Sequence, residues 1–563
     1  MDDRLGVAVL TVEDVAAIPL FSALPATELQ RLAKTSADIH LSAGEFAAPE
    51  GGEAALFAVL SGRIEVVKTF DGIERTLGWR LPGTIFGEVP ITLGTPFPGG
   101  YRAAEPSRVM RIEVQQYYAL AAVSQDVARK VNALARERLG GLQAATAEPQ
   151  KPRVTLIAHR WDTAGGELRR FLARNQISFE SMPPNSSEAA AVMEASQREA
   201  TDGPVARLAD GTVLVKPELR DLANRLGLQT APRAGEYDVA VVGGGPAGLA
   251  AAVYGASEGL STVVVEREAP GGQAGTSSRI ENYLGFPSGI SGDELASRAL
   301  QQARRLGAEI LVTRSVVGLD PARHEVLLDG SDVIRARSLI LATGVAWRRM
   351  AIEGIDRLIG KGVFYGASRS EANAIHGLDV HLVGAGNSAG QAALHFAGHA
   401  RSVTLVVRGE RLEDSMSHYL VAQIASKSNI SVKLGSEVRS VHGQGHLSAI
   451  EILEKASGDV RRYVCGGFFI FIGADAETAW LPSEVACNER GYVLTGDDVR
   501  KAGRWSHERD PYLLETSVPG VFACGDVRLS PVKRVAAAVG EGSMAIAFVH
   551  QYLAQEKARG SVA

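Results

Sequence analysis

Two glycine-rich turns, which begin at Gly243 and Gly384, constrain the fold of this chain most. The first, GGGPAG from Gly243, follows the apolar run YDVAVV and precedes an alanine-rich stretch and a second apolar run that ends at Glu266. In such a pattern the first glycine permits a tight turn, Gly245 lets the backbone approach a pyrophosphate, and Gly248 permits close helix-to-strand packing. The helix N-terminus faces the phosphates, and Glu266 lies near the offset of a ribose-binding acid. This stretch predicts a dinucleotide-binding βαβ unit.

The second glycine turn repeats this layout in LDVHLVGAGNSAGQAALHFAGHARSVTLVVRGERLEDS. Its predicted nucleotide-binding residues are Gly384, Gly386, Asn387, Ser388 and Ala389. The acid that selects NAD is absent from the end of the second strand, where Arg408 and Arg411 occur instead. Because a 2′-phosphate needs cations and is repelled by an acid, we expect NADPH here. An NADH site beside a solvated arginine remains the alternative.

Composition and charge exclude several function classes. The net charge of -5 gives no basic face for nucleic acid. The N-terminus MDDRLGVAVLTVEDVAAIPL is acidic and lacks the layout of a signal peptide, and no apolar run is long enough to span a bilayer. The three cysteines are odd in number and far apart, which fits a reducing compartment. We therefore expect a cytoplasmic protein with no nucleic-acid partner and no membrane span.

Periodicity and composition divide the chain into blocks. Short alternating strands flanked by helices come first, followed by a linker, a small α/β block, and a long series of alternating strands and helices typical of stacked βαβ units. The last block contains both glycine turns, and we expect its first domain to be discontinuous. The expected boundaries are 1–143, the linker 144–152, the small block 153–230, the first dinucleotide domain 236–350 with 475–563, and the second dinucleotide domain 351–474.

Four further motifs resemble the flavin-binding motifs of low-molecular-weight thioredoxin reductases. They are PGGQAGTSSRIENYLGFP, LILATGVAWR, TSVPGVFACGDV and KRVAAAVGEGSMAIAFVHQYL. The resemblance implies FAD in the first dinucleotide site, with Asp526 at its ribityl chain or pyrophosphate and Gln273 and Asn282 near the flavin ring. The expected FAD-binding residues are Gly243, Gly245, Gly248, Glu266, Gly272, Gln273, Asn282, Thr343, Gly344, Gly525, Asp526, Arg534, Val535 and Ala536.

The redox-active cysteine pair of that family has no counterpart in this chain. Thioredoxin reductases carry Cys-x-x-Cys just before the second nucleotide turn, and alignment on GKGV places at those four positions Gly366, Ala367, Ser368 and Arg369. None of these side chains can form the thiolate that thiol exchange requires. The remaining cysteines, Cys465, Cys487 and Cys524, are expected to be small buried hydrophobes. No residue is therefore predicted to be catalytic.

The resemblance then implies hydride transfer from NADPH to FAD, with electrons leaving the flavin for an external acceptor. Candidate acceptors are a quinone, a ferredoxin-like carrier, oxygen or a disulfide, since cysteine-free relatives of thioredoxin reductase include ferredoxin–NADP reductases. Two alternatives remain: a nucleotide-binding flavoprotein sensor or scaffold with little turnover, and an atypical thioredoxin-disulfide reductase using Cys465 or Cys487. His418 and Tyr419 either line an access route to the flavin or lie on a surface helix. Because the family is dimeric, we expect a homodimer.

Residues 19–120 resemble a cyclic-nucleotide-binding domain, on the segment FGEVPITLGTP. The resemblance implies Gly87 and Glu88 at the nucleotide, with Glu88 accepting from a ribose hydroxyl. The arginine that binds the cyclic phosphate in such domains falls on Phe97, while Arg102 falls on an ordinary position of the next strand. A cyclic-nucleotide-like effector is therefore a candidate partner that would lack its bidentate charge partner.

Residues 153–228 resemble a glutaredoxin or thioredoxin fold. The segment GPVARL would place Pro204 at the cis-proline position of that fold, while the segment RWDTAGGELRR lacks the redox cysteines. A docking or dimer-contact module is the expectation. The predicted fold class is multidomain α/β, with an N-terminal β-roll, a small thioredoxin-like domain and two Rossmann-type domains for FAD and NADPH.

Overall fold

A computed structural model describes residues 10–70, 73–147, 152–195, 203–277, 279–352, 354–366, 375–529 and 532–560. The chain divides into two compact units, Met1–Lys151 and Pro152–Ala563. Within the described ranges, no helix combines the length and the apolar character that a bilayer crossing requires.

The described part of the N-terminal unit consists of two four-stranded antiparallel sheets and five helices. The helices are α1 (Val12–Ala16), α2 (Ala26–Thr35), α3 (Glu88–Leu93), α4 (Val114–Val123) and α5 (Gln125–Ala147). The strands are β1 (Ala37–Leu41), β2 (Phe46–Ala48), β3 (Ala55–Ser61), β4 (Ile64–Phe70), β5 (Ile73–Arg80), β6 (Ile85–Phe86), β7 (Gly100–Ala103) and β8 (Ser107–Glu113). The sheet orders are β1-β8-β3-β6 and β2-β7-β4-β5.

Side chains from both sheets share one apolar core, which includes Phe57 of β3, Val66 of β4 and Phe86 of β6. The helices cover a second core around Phe21 and Leu32. Helix α5 extends through Ala147, into the segment that composition predicted to be a linker. The alanine and leucine residues at the end of α5 are good helix formers, and they offset the low helix propensity of Gly140 and Gly141.

The second unit begins with a small α/β module, residues 152–230, called the small module below. Its elements are β9 (Val154–Ile157), α6 (Thr163–Arg174), β10 (Phe179–Met182), α7 (Ser187–Ala195), β11 (Val205–Leu208), β12 (Val213–Val215) and α8 (Leu219–Arg225). The sheet order is β10-β9-β11-β12, with β10 parallel to β9 and the other pairs antiparallel. This mixture of strands and helices agrees with the small α/β block predicted for residues 153–230.

The expected cis peptide at Pro204 is wrong, since no described peptide bond is cis. Gly203 provides the change of direction before β11 with a φ of 145°, a conformation open to glycine. The Pro204 carbonyl accepts a hydrogen bond of 2.8 Å from the Lys216 amide, so Pro204 continues the β11–β12 hairpin.

The rest of the second unit contains two sheets of mainly parallel strands. Its helices are α9 (Pro246–Ser257), α10 (Gly292–Arg305), α11 (Asn387–Phe396), α12 (His418–Ala425), α13 (Asp497–Lys501) and α14 (Val535–Gly560). Its strands are β13 (Glu236–Val242), β14 (Thr262–Val265), β15 (Glu309–Leu311), β16 (Val316–Asp320), β17 (Glu325–Leu328), β18 (Val333–Leu341), β19 (Val345–Trp347), β20 (Val363–Tyr365), β21 (Asp379–Val383), β22 (Ser402–Val406), β23 (Ile430–Lys433), β24 (Ser436–His442), β25 (Ala449–Glu454), β26 (Val460–Val464), β27 (Gly467–Ile470), β28 (Ala474–Ala476) and β29 (Val521–Ala523).

The first sheet has the order β15-β14-β13-β18-β17-β16, with β29 parallel to the end of β18. The second is a parallel sheet of order β20-β27-β21-β22-β23, accompanied by the antiparallel sheet β24-β25-β26. The chain passes between the two sheets through the paired strands β19 and β28, next to the predicted boundaries at 350 and 475. Each glycine turn lies at the carboxyl end of a central strand, β13 or β21, where a doubly wound sheet binds its ligands.

Helix α14 packs directly on helix α9, and the contact depends on a missing side chain. A Cβ atom at Gly542 would lie 2.1 Å from the Ala247 carbonyl oxygen, which is backbone and cannot rotate away. Ala251 of α9 and Ile546 and Val549 of α14 complete this apolar interface. The position of α14 is therefore coupled to the first turn of α9, which carries the nucleotide fingerprint.

We expect Gly542→Ala to lower the melting temperature, because overpacking at such a contact costs about 1–3 kcal/mol. Gly540→Ala is the matched control on the same helix, since a Cβ atom there meets nothing within 4 Å. The control should be neutral or stabilising by about 0.5–1 kcal/mol, through helix propensity. Thermal unfolding followed by circular dichroism measures both, and equal melting temperatures for the two variants would contradict the packing argument.

Candidate functional site

A cavity of about 810 Å³ lies at the carboxyl ends of β13, β14 and β18. Eleven of the predicted FAD-binding residues line it: Gly243, Gly245, Glu266, Gly272, Gln273, Thr343, Gly344, Gly525, Asp526, Arg534 and Val535. These residues come from five separate stretches of sequence, and the fold brings them to one surface. The cavity is therefore the place to test whether a dinucleotide fits.

Three predicted residues lie elsewhere. Gly248 is buried behind the turn, where a Cβ atom would lie 1.9 Å from the Gly243 carbonyl oxygen. Ala536 is exposed, because Val535 and Ala538, three residues apart on α14, form the face that lines the cavity. Asn282 is also exposed, in the loop between the bridged residues Ile280 and Ile290. Neither Ala536 nor Asn282 belongs to the cavity lining.

The turn before α9 leaves room for a phosphate group. Gly243 has a φ of 107°, and a Cβ atom there would lie 2.4 Å from the Ala342 carbonyl oxygen. A Cβ atom at Gly272 would lie 3.0 Å from the Gly245 Cα atom, so two loops approach each other through glycine alone. The N-terminus of α9 begins at Pro246 without a side-chain cap, which leaves its positive end open to an anion. These residues fit the diphosphate of a dinucleotide.

Two carboxylates line the same cavity, the buried Glu266 and the half-buried Asp526. Glu266 accepts hydrogen bonds from the amides of Gly244 (2.8 Å) and Glu268 (2.9 Å). Burial nevertheless raises the pKa of Glu266, and these two hydrogen bonds oppose the rise. Burial also raises the pKa of Asp526, against the attraction of Lys533. Carboxylates in such surroundings gain from hydroxyl donors, which a ribose or ribityl chain provides.

Residues from the second dinucleotide domain close one side of the cavity. Phe364 and Tyr365 of β20 line it, together with Trp347 of β19. A Cβ atom at Gly366 would lie 3.6 Å from the Thr276 hydroxyl oxygen and 4.0 Å from the Trp347 indole nitrogen. Gly366, the first residue at the expected position of the cysteine pair, therefore adjoins the cavity wall. The following Ala367, Ser368 and Arg369 lie outside the described residues.

The second glycine turn lies apart from this cavity. None of its predicted residues, all of which are described, lines the cavity: Gly384, Gly386, Asn387, Ser388 and Ala389. The Asn387 side-chain oxygen accepts a hydrogen bond of 2.7 Å from the Ser417 amide and so fixes the loop before α12.

The residues predicted near NADPH or along an access route lie at the surface or outside the cavity. Arg408 and Arg411 are exposed beyond β22, with Arg411 3.7 Å from Glu413. His418 begins α12 and is exposed, and Tyr419 packs against the core of its own domain. This placement fits the surface-helix interpretation of His418 and Tyr419 rather than an access route.

All three cysteines are free, and burial raises the pKa of each thiol. Cys465 reaches a pKa of about 12 and donates a hydrogen bond of 3.2 Å to the Gly467 carbonyl. Cys487 is half-buried, whereas Cys524 is fully buried in the wall of the cofactor cavity. At neutral pH these thiols are protonated and poorly suited to attack a disulfide.

In the N-terminal unit, side chains of the protein itself contact the segment that resembles a phosphate-binding cassette, FGEVPITLGTP. Glu88, 1% exposed, forms an ion pair of 2.9 Å with Arg138 of α5, which also donates to the Ile85 carbonyl. Gly87 caps α3 with a φ of 90°. Phe97, where the phosphate-binding arginine was expected, is 1% exposed and packs edge-on against Tyr101.

Arg102 of the same unit forms an ion pair of 2.8 Å with Glu65. Neither Glu88 nor Arg102 therefore offers an uncommitted charge to a ligand.

The class of protein defined by these features is a nucleotide-dependent flavoprotein. The features are two glycine-rich turns, a cavity lined by the carboxylates of Glu266 and Asp526, and an adjoining second domain. The chain belongs to the pyridine nucleotide-disulphide oxidoreductase family, whose model matches residues 237–542. It is an NAD(P)H-dependent FAD oxidoreductase, and the expectation of FAD and NADPH is confirmed by its relatives. A cyclic nucleotide-binding domain matches residues 38–124, which confirms the nature of the N-terminal unit.

The reductase portion is similar to thioredoxin reductases. The Bacillus subtilis thioredoxin reductase is 30% identical over 318 residues, which cover 56% of this chain and 95% of that protein. An alkyl hydroperoxide reductase protein of Escherichia coli is 32% identical over 327 residues, 57% of this chain and 59% of that protein. The crystal structure of Lactococcus lactis thioredoxin reductase is similar with a TM-score of 0.51 and 27% identity, covering 57% of this chain and 99% of that chain.

Several residues in the cavity lining were not predicted from the sequence. Trp347 lies within the quoted motif LILATGVAWR and Tyr365 lies two residues after GKGV, but neither residue was assigned to the cofactor site. Arg170 and Arg174 belong to the small module, which has no nucleotide motif at all. Their spacing of four residues places both on one face of α6, and that is the only sequence signal they offer.

We expect Arg138→Ala to destabilise the N-terminal unit, because it leaves the Glu88 carboxylate buried and unpaired, a loss of about 3–5 kcal/mol. Arg129→Ala on the same helix is the control, since its pair with Asp126 is largely exposed and worth about 0–1 kcal/mol. Differential scanning calorimetry of the full chain should show a lowered transition only for the first variant. Equal transitions would show that the Glu88–Arg138 pair is dispensable.

Proposed function

We propose that this protein is an NADPH-dependent FAD oxidoreductase that delivers electrons to an external acceptor without a dithiol of its own. The observation that carries the proposal is the absence of cysteine between residues 360 and 384, where the related reductases are expected to hold their pair. Gly366 adjoins Thr276 at the cavity wall, so the first of these positions borders the cofactor site.

When bound, FAD supplies the redox chemistry, accepting a hydride from NADPH and releasing two electrons to the acceptor. The chain supplies the binding surface for that chemistry. Gly243, Gly245 and Gly272 make room for the diphosphate, and Glu266 and Asp526 offer acceptors to the hydroxyl groups of the ribose and the ribityl chain. Trp347 and Tyr365 form an aromatic wall that limits the approach of water and acceptor.

The remaining cysteines support this proposal. They are separated by more than twenty residues in sequence and carry raised thiol pKa values. The names of the relatives suggest a disulfide or a peroxide-reducing system as the ultimate acceptor. Without a chain dithiol, we favour an acceptor that approaches the flavin directly, such as a quinone, a ferredoxin-like carrier or oxygen.

We also propose that the small module is a thioredoxin-type fold without redox activity. Its strand order, parallel pair and following hairpin support that fold. At the start of α6, where such folds place their cysteines, the Asp162 carboxylate caps the helix by accepting from the Gly165 amide at 3.0 Å. A capping carboxylate stabilises the helix but offers no thiol chemistry.

Anaerobic stopped-flow mixing with NADPH tests the proposed function. We expect rapid loss of the visible absorbance of the flavin, followed by its return when a quinone, a ferredoxin or oxygen is added. The variant with Cys465→Ala, Cys487→Ala and Cys524→Ala should retain both phases. A flavin that stays oxidised would favour the sensor or scaffold, whereas loss of only the second phase in the cysteine variant would favour a thiol relay.

Arg408 provides the test of cofactor preference. We expect Arg408→Ala to lower kcat/KM for NADPH about tenfold, because a charge-assisted contact to the 2′-phosphate is lost, and to leave NADH unaffected. Arg401→Ala is the matched control, since Arg401 precedes the same strand at its opposite end and pairs with Asp379. Steady-state kinetics with both nucleotides decides, and an equal loss in the two variants would contradict a phosphate contact.

A further inference from the structure

Helix α6 of the small module borders the cofactor cavity. Its Leu168, Phe171 and Leu172 are buried in the core of the module. Arg170 and Arg174 line the same cavity as the glycine turn. The cavity wall therefore includes two cations from a segment that belongs to neither dinucleotide domain.

The Arg174 guanidinium is fixed beside the phosphate turn. Its Nη2 donates to the carbonyls of Ala269 (2.7 Å) and Gly272 (3.2 Å), and its Nη1 lies 3.2 Å from Glu268. Gly272 in turn touches Gly245 of the turn. Its Nε is buried and has no hydrogen-bond partner among the described residues, so one donor of the guanidinium remains unused.

The charges around this site call for such a cation. A diphosphate brings negative charge next to the carboxylates Glu266 and Asp526, while the N-terminus of α9 offers only about half a positive charge. The partner carboxylate Glu268 is mostly exposed, so water screens its pair with Arg174. The guanidinium charge therefore acts on the cavity, where it partly opposes the rise that burial causes in the pKa of Glu266.

Arg174 shares the attachment of the small module with other residues. Arg220 of α8 fixes the module separately, by donating to the Thr313 carbonyl at 2.8 Å and pairing with Asp329. Trp161 also stacks on His446, with ring centroids 5.9 Å apart. Arg220, Trp161 and His446 do not line the cofactor cavity. The module therefore has docking contacts outside the cofactor cavity, in addition to those that Arg174 makes.

We propose that the small module is a clamp for FAD, in which Arg174 neutralises the cofactor diphosphate. Arg170, one helical turn earlier, adds a second cation to the same wall. The module holds FAD through charge, and electron transfer requires nothing further of it. The proposal rests on FAD binding and is independent of which acceptor the enzyme uses.

The dissociation constant of FAD tests the clamp, measured with the full-length apoprotein by quenching of flavin fluorescence. We expect Arg174→Gln to raise this constant at least about tenfold, since a charge-assisted contact is lost. The FAD dissociation constant of this variant should also depend less on the KCl concentration than that of the wild type. Arg174→Met also removes the charge while keeping the aliphatic bulk, and it takes the place of the glutamine variant if that variant fails to fold.

Arg220→Gln is the control for docking, and it should leave the FAD dissociation constant within twofold of the wild type. The clamp is overturned if removal of the Arg174 charge changes the constant less than twofold. It is also overturned if Arg220→Gln weakens FAD as much, because docking alone would then account for the effect. The dissociation constant is measured without NADPH or an electron acceptor, so the outcome of this test is independent of the outcome of the test of the proposed function.

Discussion

The cofactor site depends on the close approach of helix α9 to the strand that precedes it. That approach is possible because Gly248 has no side chain to collide with the Gly243 carbonyl, only 1.9 Å from where a Cβ atom would lie. The same turn of α9 receives α14 across Gly542, so the last helix of the chain is positioned by the first nucleotide turn. Packing at these glycines aims the positive helix end at the cavity and brings Arg534 and Val535 to its wall.

The charged side chains of the cavity then determine which chemical groups of a ligand it favours. The carboxylates Glu266 and Asp526 favour hydroxyl donors, and arginines from more than one part of the chain line the cavity. The thiols contribute no charge there, because burial keeps them protonated. A site with these properties can bind and orient a flavin nucleotide, and Cys524, the cysteine among the described lining residues, is fully buried. Charge also determines the use of Glu88 in the N-terminal unit, where its carboxylate forms an ion pair with Arg138 instead of accepting from a ribose hydroxyl.

The sequence predicted the parts of the site that local geometry dictates. The spacing of Gly243, Gly245 and Glu266 follows from the βαβ turn itself, and all three line the cavity. The motif does not indicate which side chains of α14 face the cavity. It therefore predicts Ala536, whereas Ala538 lines the cavity wall. Arg174 could not be predicted, since its role arises from the packing of two modules that are distant in sequence. The Glu88–Arg138 pair could not be predicted from local pattern either, because Arg138 lies fifty residues after Glu88 in the sequence.

The central claim is that the polypeptide stores no electrons on sulfur, and a count of electrons tests it most directly. Anaerobic titration of the oxidised protein with dithionite, followed by flavin absorbance, gives the reducing equivalents taken up per bound FAD. A flavin without a dithiol partner accepts two electrons, whereas a flavin with a redox-active dithiol accepts four. The account requires uptake to end at two, and uptake of four would contradict it.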